Sequence, residues 1–188
     1  MEFYPVNAPV PEEKRTNRLF LRPLRATDVE LDYDAVMSSA EQLRHWSQSD
    51  WPTDDFTLAQ NRADLQRHER EHGERKAFTF TVLNPHATCC LGCVYIMPLW
   101  PQTAELYAGA AYAADVGFWV RTSELANDLD RHLLDTLREW FTAEWAFDCV
   151  VFSISEQEAR QAALLSEAGL ERRLAFALAD GRLCWAFS

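Results

Sequence analysis

Two histidines one helical turn apart are the first group in this sequence whose spacing could support catalysis. His68 and His72 belong to a His-Glu-x-x-His pattern in a segment that is predicted to be helical, so both imidazoles would lie on one face, as in zinc peptidases. The neighbouring residues are charged, whereas the zinc-binding helix of such enzymes is mostly buried. We therefore interpret the segment as a polar helix stabilised by neighbouring opposite charges, and we predict no metal site.

Two cysteines have the spacing of a zinc knuckle or a redox pair. Cys90 and Cys93 follow Cys89, but the sequence has no second Cys-x-x-Cys. Residues 89–97 are predicted to form a strand, in which residues three apart point to opposite faces. The five cysteines, an odd number, indicate reduced structural thiols rather than a disulfide framework.

A third group combines two indoles with a carboxylate. Trp46 and Trp51 flank Asp50 in a polar segment. Such a group could receive a cationic amine through cation–π contacts and charge pairing. The alternative is that both indoles pack this segment onto the core, and the residues alone leave both interpretations open.

Composition sets the class of protein that must position these groups. The chain has 188 residues, 48% of them hydrophobic, which suits one domain, and its net charge of −11 disfavours non-specific binding to nucleic acid. Its longest nearly uncharged apolar stretch, residues 89–100, is too short for a transmembrane helix of about 20 residues, so we expect no membrane partner. The first residues lack the features of a signal peptide, and we expect a cytoplasmic protein.

The periodicities along the chain predict an α/β fold. The predicted order is β, α, α, three strands, α, β, α and two strands, which indicates a mixed, mostly antiparallel sheet flanked by helices. The clearest amphipathic helix begins at Leu129 and continues to Trp145, and a later helix is predicted to end at Gly169. Residues 40–55 and 99–113 are predicted to be loop-like, and residues 1–16 an extended arm that precedes the domain at 17–188.

Three segments resemble the GNAT superfamily of acyl-CoA-dependent N-acetyltransferases. They are Arg18 to Leu24 with the following Asp28, Asp115 to Arg121, and Glu158 to Leu170. The resemblance covers residues 17–187 and is closest to the branch that contains ribosomal-protein N-terminal acetyltransferases. It implies a single GNAT-like domain that transfers an acetyl group from acetyl-CoA to a primary amine, either a small molecule or a protein N-terminus.

The resemblance also implies a cofactor site, because family members bind the pyrophosphate of acetyl-CoA at the helix that follows Val120. Free N–H groups and the dipole at a helix N-terminus attract such an anion. The implied cofactor-binding residues are Trp119, Val120, Arg121, Ala126, Asn127, Asp128 and Leu129.

This loop departs from the family pattern, because Ala126 and Asp128 stand where the family has glycines. Asp128 brings a carboxylate to a site for a diphosphate, and Asp130 adds another. Asp128 is also a favourable N-cap, whose side chain could occupy the N–H groups that the ligand needs. Arg121 or Arg131 could offset the acidic charge.

Asp115 stands where family members often have a carboxylate that deprotonates the amine, so the resemblance implies a general base there; the alternative is a solvent-exposed residue at a strand end. By the same resemblance, Trp46, Asp50 and Trp51 border the acceptor site.

The alternative to an enzyme is a non-catalytic binding or regulatory protein with the same fold. Ala126, Asp128 and Leu165, which replaces a tyrosine of many members, favour it. A homodimer is also expected.

Overall fold

The computed structural model describes residues 2–188, and the predicted fold class is confirmed. The strands are β1 (Lys14–Arg15), β2 (Phe20–Pro23), β3 (Phe78–Leu83), β4 (Cys90–Pro98), β5 (Ala113–Val120), β6 (Cys149–Ser155), β7 (Arg172–Ala177) and β8 (Leu183–Phe187). They form one eight-stranded sheet in the order β1-β2-β3-β4-β5-β6-β8-β7. Only β5 and β6 pair in parallel among the neighbouring strands of residues 2–188.

Helices cover the sheet on both faces. They are α1 (Val29–Ser38), α2 (Ala40–Ser47), α3 (Leu58–Gly73), α4 (Pro101–Ala104), α5 (Leu129–Glu144) and α6 (Ala159–Glu167). The core on one face includes α5 side chains such as Leu133, Leu137 and Trp140, and the core on the other includes Val36 of α1 and Leu65 of α3. The predicted stop after α6 is confirmed, since Gly169 has a φ of +82°, which suits glycine.

The predicted loop at residues 40–55 is wrong in its first half, which is helix α2. Its sequence is rich in helix formers but polar, and it buries one side chain fully, that of Leu43. A helix with so little apolar surface leaves almost no periodic signal. The prediction for residues 99–113 also missed the single turn α4, which begins at Pro101.

The N-terminal segment packs against the core of residues 17–188. Tyr4 is 2% exposed and its ring meets Phe78 and Trp145 edge-on. Its hydroxyl donates to the Pro9 carbonyl and accepts the N–H of Ala146. These contacts join the segment around Tyr4 to the start of β3 and to the residues that follow the end of α5.

The two cysteines of the Cys-x-x-Cys share one face of β4, which corrects the prediction that they point apart. The register shifts by one residue opposite Val82 and Leu83, so a bulge at Leu91 reverses the alternation. Cys90 and Cys93 are both buried in the same cluster, and burial raises the pKa of both thiols. Unreactive thiols follow from this environment.

None of the helices formed by residues 2–188 has the length and apolar character needed to cross a bilayer.

Candidate active site

Strands β5 and β6 part halfway along the sheet. They pair from Ala113 to Val116 and from Cys149 to Phe152, after which β6 continues beside β8 instead. The end of β5, from Gly117 onward, therefore has β4 on one side and a gap on the other. A ligand in an extended conformation could enter such a gap.

Backbone groups of β5 face this gap. Arg121 donates its N–H to the Leu91 carbonyl at 2.7 Å, and the alternation of an antiparallel ladder then directs the backbone of Phe118 and Val120 away from β4. Gln161 donates to the Phe118 carbonyl at 2.8 Å across the gap. The backbone of Phe118 and Val120 thus faces the gap, while Trp119 faces β4 with its backbone and donates its indole N–H to Tyr95.

Asp115 lies on β5 where the two strands part. It is 1% exposed and accepts a hydrogen bond from the Ser153 hydroxyl of β6. Burial raises the pKa of Asp115 to about 7, and the bond from Ser153 acts in the opposite direction. The alternative of a solvent-exposed strand end is wrong, because this carboxyl is enclosed. A carboxyl with a pKa near neutrality is suited to accept a proton at physiological pH.

A cavity of about 470 Å³ opens beside Asp115. Its aromatic wall is formed by Trp46, Trp51, Tyr95 and Trp100. Trp46 stacks on Tyr95 with ring centroids 5.9 Å apart and lies directly over Gly117. Such a pocket excludes water from the carboxyl and presents aromatic faces to a cation.

The structure brings two of the three predicted acceptor residues to this cavity. Trp46 and Trp51 line it together with Asp115, whereas Asp50 is exposed and lines a separate groove beside α2. Asp32 and Asp64 line the cavity and were missed by the sequence prediction. A signal for Asp32 exists, because it shares a helical face with the apolar Val29 and Val36.

The two histidines of α3 lie on its packed side, while the helix as a whole is polar and mostly exposed and carries the predicted opposite-charge pairs, Arg67 with Asp64 and with Glu71. His68 lines the cavity, and its Nδ1 is 3.1 Å from the Thr79 hydroxyl. Burial lowers the pKa of His68 to about 4, so its ring is neutral at pH 7. His72 packs edge-on against Phe78 and Phe80. In the part of the chain that the structure describes, no three His, Cys, Asp or Glu residues are grouped to hold a metal ion.

The loop between β5 and α5 is a 3₁₀ turn, Thr122–Asn127, followed by Asp128 in the left-handed conformation with φ 50°. The prediction that Asp128 caps α5 with its side chain is wrong. Its carboxylate accepts no hydrogen bond from an N–H of the helix. It accepts one from the Arg160 guanidinium of α6 instead, with a distance of 3.0 Å between Nη2 and Oδ1. Ala126 is exposed and Leu129 is buried in the core. The Asn127 carbonyl accepts a hydrogen bond from the Arg18 guanidinium.

Asp130 lies in the first turn of α5. It is 2% exposed, and its carboxylate accepts the N–H of Arg131 at 3.0 Å. Arg160 binds both oxygens of this carboxylate, at 2.5 and 2.9 Å, and also donates to the Leu125 carbonyl. An internal ion pair therefore joins α6 to the first turn of α5.

Neither predicted arginine forms a direct ion pair with these acids. Arg121 pairs with Asp34 of α1, and Arg131 pairs with Glu167 of α6. Arg160, which the sequence prediction missed, does so instead. Because it is 30 residues from Asp130 in the chain, only the docking of α6 reveals the pairing.

Solved structures with this fold include several acetyltransferases. RimL, a ribosomal L7/L12 alpha-N-protein acetyltransferase in complex with coenzyme A, has a TM-score of 0.74 at 15% identity, covering 94% of this chain and 96% of that one. The ribosomal-protein-S5-alanine acetyltransferase from Vibrio fischeri has a TM-score of 0.71 at 14% identity, covering 94% and 95%. The microcin C7 self-immunity acetyltransferase MccE, in complex with acetyl-CoA and AMP, has a TM-score of 0.73 at 10% identity, covering 92% of each chain.

The TM-scores show a common fold, and at these identities they show the fold alone. No curated protein sequence matches the chain significantly. The sequence model of the acetyltransferase (GNAT) domain matches residues 18–171, which include the parted strands, Asp115 and the loop before α5. The chain therefore belongs to the GNAT family of acetyltransferases.

Proposed function

We propose that this protein is an N-acetyltransferase that moves an acetyl group from acetyl-CoA to a primary amine. The observation that carries the proposal is Asp115, a buried carboxyl with a pKa of about 7 where β5 and β6 part and an aromatic cavity begins. The acceptor is a small amine or a protein N-terminus. The ribosomal-protein acetyltransferases among the structural neighbours support a protein N-terminus, and the small, partly enclosed cavity supports a small amine.

In this proposal, separate residues bind the acceptor and remove its proton. Trp46 and Trp51 bind the ammonium form of the acceptor by cation–π contacts. Asp115 takes one proton from it and leaves a neutral amine able to attack. In the overall reaction, a C–N bond replaces the C–S bond of the thioester, and the leaving sulfur takes up a proton.

Acetyl-CoA supplies the acetyl group as a thioester when bound. The chain suits the amide-bearing arm of this molecule better than its diphosphate. The backbone groups of Phe118 and Val120 at the gap suit an extended arm that carries amides. The loop before α5 does not suit a diphosphate, because Asp128 and Asp130 place two carboxylates there and Arg160 neutralises one charge. Two unit charges roughly 6 Å apart repel by on the order of 3 kcal/mol at an effective dielectric of about 20. We infer a degenerate pyrophosphate loop and weakened coenzyme binding.

Titration calorimetry with acetyl-CoA tests the loop. Asp128→Asn removes one charge, and asparagine tolerates the left-handed backbone at this position. We expect about tenfold tighter binding from reduced repulsion. Asp135→Asn, an exposed change on the same helix, is the matched control and should leave the affinity unchanged. Equal affinities for wild type and Asp128→Asn would contradict the repulsion.

Transfer is tested with a panel of primary amines and acetyl-CoA. We expect kcat/KM to rise with pH through about 7 and then level off, because Asp115 must be ionised to accept a proton. Asp115→Asn should lower kcat at least about a hundredfold, the usual contribution of a general base. A pH profile that Asp115→Asn leaves unchanged would remove Asp115 from the reaction.

The Arg160–Asp130 pair favours a second candidate, a binding or regulatory protein that keeps the fold without the reaction. In that case the internal carboxylate holds the N-terminus of α5 permanently. The calorimetric titration separates the two candidates. Micromolar binding of acetyl-CoA favours transfer, and the absence of heat at millimolar ligand favours the binding protein.

A further inference from the structure

A second buried carboxylate lines the cavity and has no part in the proposed proton transfer. Asp32 of α1 is 4% exposed, and one of its oxygens accepts the Asn61 amide at 2.9 Å. Its other oxygen has no hydrogen-bond partner among residues 2–188, and the residue lines the cavity. Burial raises the pKa of Asp32 to about 6, and the charges of Asp28 and Asp64 act in the same direction.

The protein provides neither Asp32 nor Asp115 with a counterion, as judged over the described part of the chain. Arg67 and Arg182, which also line the cavity, are half-exposed and engaged elsewhere. Arg67 pairs with Glu71 at 3.2 Å and with Asp64 at 3.8 Å, and Arg182 pairs with Asp180 at 2.8 Å. His68 is neutral, as shown above. A buried carboxylate without a partner is costly, so a cation from outside would be stabilised at both ends of the cavity.

The carboxylates of Asp32 and Asp115 lie beside different parts of the β4–β5 strand pair. Asp32 lies on α1, which packs on the face of β4 that carries Cys90 and Cys93, whereas Asp115 pairs with Met97 farther along β4. The stacked rings of Trp46 and Tyr95 line the same cavity, so its wall is apolar as well as acidic.

We propose that the acceptor is a dication: a primary amine joined by a short apolar chain to a second cationic group. The reacting amine lies at Asp115, the second cation lies at Asp32, and the methylene chain packs on the aromatic wall. This inference deepens the proposed transfer and rests on it for the identity of the reacting end. It assigns Asp32 the role of a specificity-determining residue.

Binding without any acyl donor tests the pocket independently of catalysis. Calorimetry compares cadaverine, an aliphatic diamine, with pentylamine, a monoamine with the same carbon chain. We expect the wild-type protein to bind cadaverine at least tenfold more tightly. Asp32→Asn keeps the shape of the side chain and should abolish the preference, while Glu30→Gln, an exposed charge removal on the same helix, should preserve it.

Equal affinity of the wild-type protein for the two amines would overturn the inference, and this comparison requires no variant to fold. A preference that survives in Asp32→Asn would overturn the assignment of the second cation to that residue.

Acetylation of the same amines separates this inference from the proposed function. If both amines are acetylated with the same kcat/KM, the inference fails and the proposed function stands. If cadaverine binds selectively but neither the amine panel nor a peptide N-terminus is acetylated, the proposed function fails and the dication pocket stands. The expected result is a tenfold or larger advantage for cadaverine in KM, lost in Asp32→Asn with little change in kcat.

Discussion

Asp115 and Asp32 illustrate what a buried carboxyl without a cationic partner does to a protein. Both have pKa values above the ordinary one because burial disfavours the charged form. The same burial that prepares Asp115 to exchange a proton near pH 7 therefore lowers the stability of the fold at that pH. Ligand sites commonly show this conflict between stability and function.

The cost should be measurable as a pH dependence of stability. In the unfolded chain Asp115 loses its proton near its ordinary pKa of 3.8, whereas the folded protein keeps it up to about pH 7. The folded state thus binds more protons in this window, so its stability falls as pH rises from about 4 to about 7 and levels off above. Asp115→Asn removes this loss. Its Tm should exceed that of wild type by at least about 5 °C at pH 8 and match it at pH 4, as calorimetric melting would measure.

The exposed Glu30→Gln serves as the control for that experiment and should melt like wild type at both values of pH. A Tm difference for Asp115→Asn that is the same at pH 4 and pH 8 would mean that ionisation of Asp115 is not its cause.

At the scale of elements, Gly92 fixes the distance between β4 and β5. A Cβ at this position would lie 2.1 Å from the Trp119 carbonyl oxygen and 2.9 Å from the Val120 Cα, both backbone atoms. Gly92 follows the bulge at Leu91, where the backbone of β4 comes close to the backbone of β5, the strand that borders the gap.

Gly92→Ala should therefore be strongly destabilising, because it forces the two strands apart. We expect a loss of about 3 kcal/mol in the free energy of unfolding, measured by urea denaturation. Gly73→Ala is the matched control. A Cβ there meets nothing within 4 Å, and alanine favours a helix, so this change should be neutral or slightly stabilising. Similar losses for both variants would contradict the close approach of the strands.

The link between α5 and α6 should depend on one arginine. Arg160→Ala leaves the buried carboxylate of Asp130 without its partner, so we expect a loss of about 2–3 kcal/mol in the free energy of unfolding. Arg131→Ala removes an exposed pair with Glu167 and should cost less than about 1 kcal/mol. Urea denaturation of both variants checks the difference, and equal losses would show that burial of Asp130 does not matter.

The elements were predictable to the extent that they bury apolar side chains periodically. Helix α5, with Leu133, Leu137 and Trp140 on one face, was predicted from the sequence. Helix α2 was not, because burial of Leu43 alone leaves no period to detect. The one-residue bulge at Leu91, which brings Cys90 and Cys93 to one face, also has no signature in the spacing.

For the molecule as a whole, the order of elements was enough to predict the fold class and to place Asp115 on a strand. The composition of the site was predictable only where the resemblance supplied it. Asp32, Asp64 and Arg160 reach the site from helices far away in the chain, so their roles depend on tertiary packing rather than on local pattern. The homodimer and the cytoplasmic location stay predictions, and sedimentation analysis would test the first.

The packing of the first residues makes a further prediction at this scale. Tyr4 is buried among Phe78, Trp145 and Phe147, and its hydroxyl satisfies the N–H of Ala146. Tyr4→Ala should cost about 3–5 kcal/mol through the cavity it leaves. Tyr4→Phe keeps the ring but leaves the Ala146 N–H unpaired, and should cost about 1–2 kcal/mol. Urea denaturation ranks the two, and a wild-type value for Tyr4→Ala would show that the segment contributes nothing to the fold.

The parting of β5 and β6 also bears on rigidity. A ladder of only four residue pairs, Ala113–Val116 with Cys149–Phe152, joins the backbone of β1–β5 to that of β6–β8. Twisting of one half of the sheet against the other should concentrate along this short seam. A molecule in the gap that bonds both to β5 beyond Val116 and to β6 would hold the two halves together, so occupancy of the gap should increase the stiffness of the whole sheet.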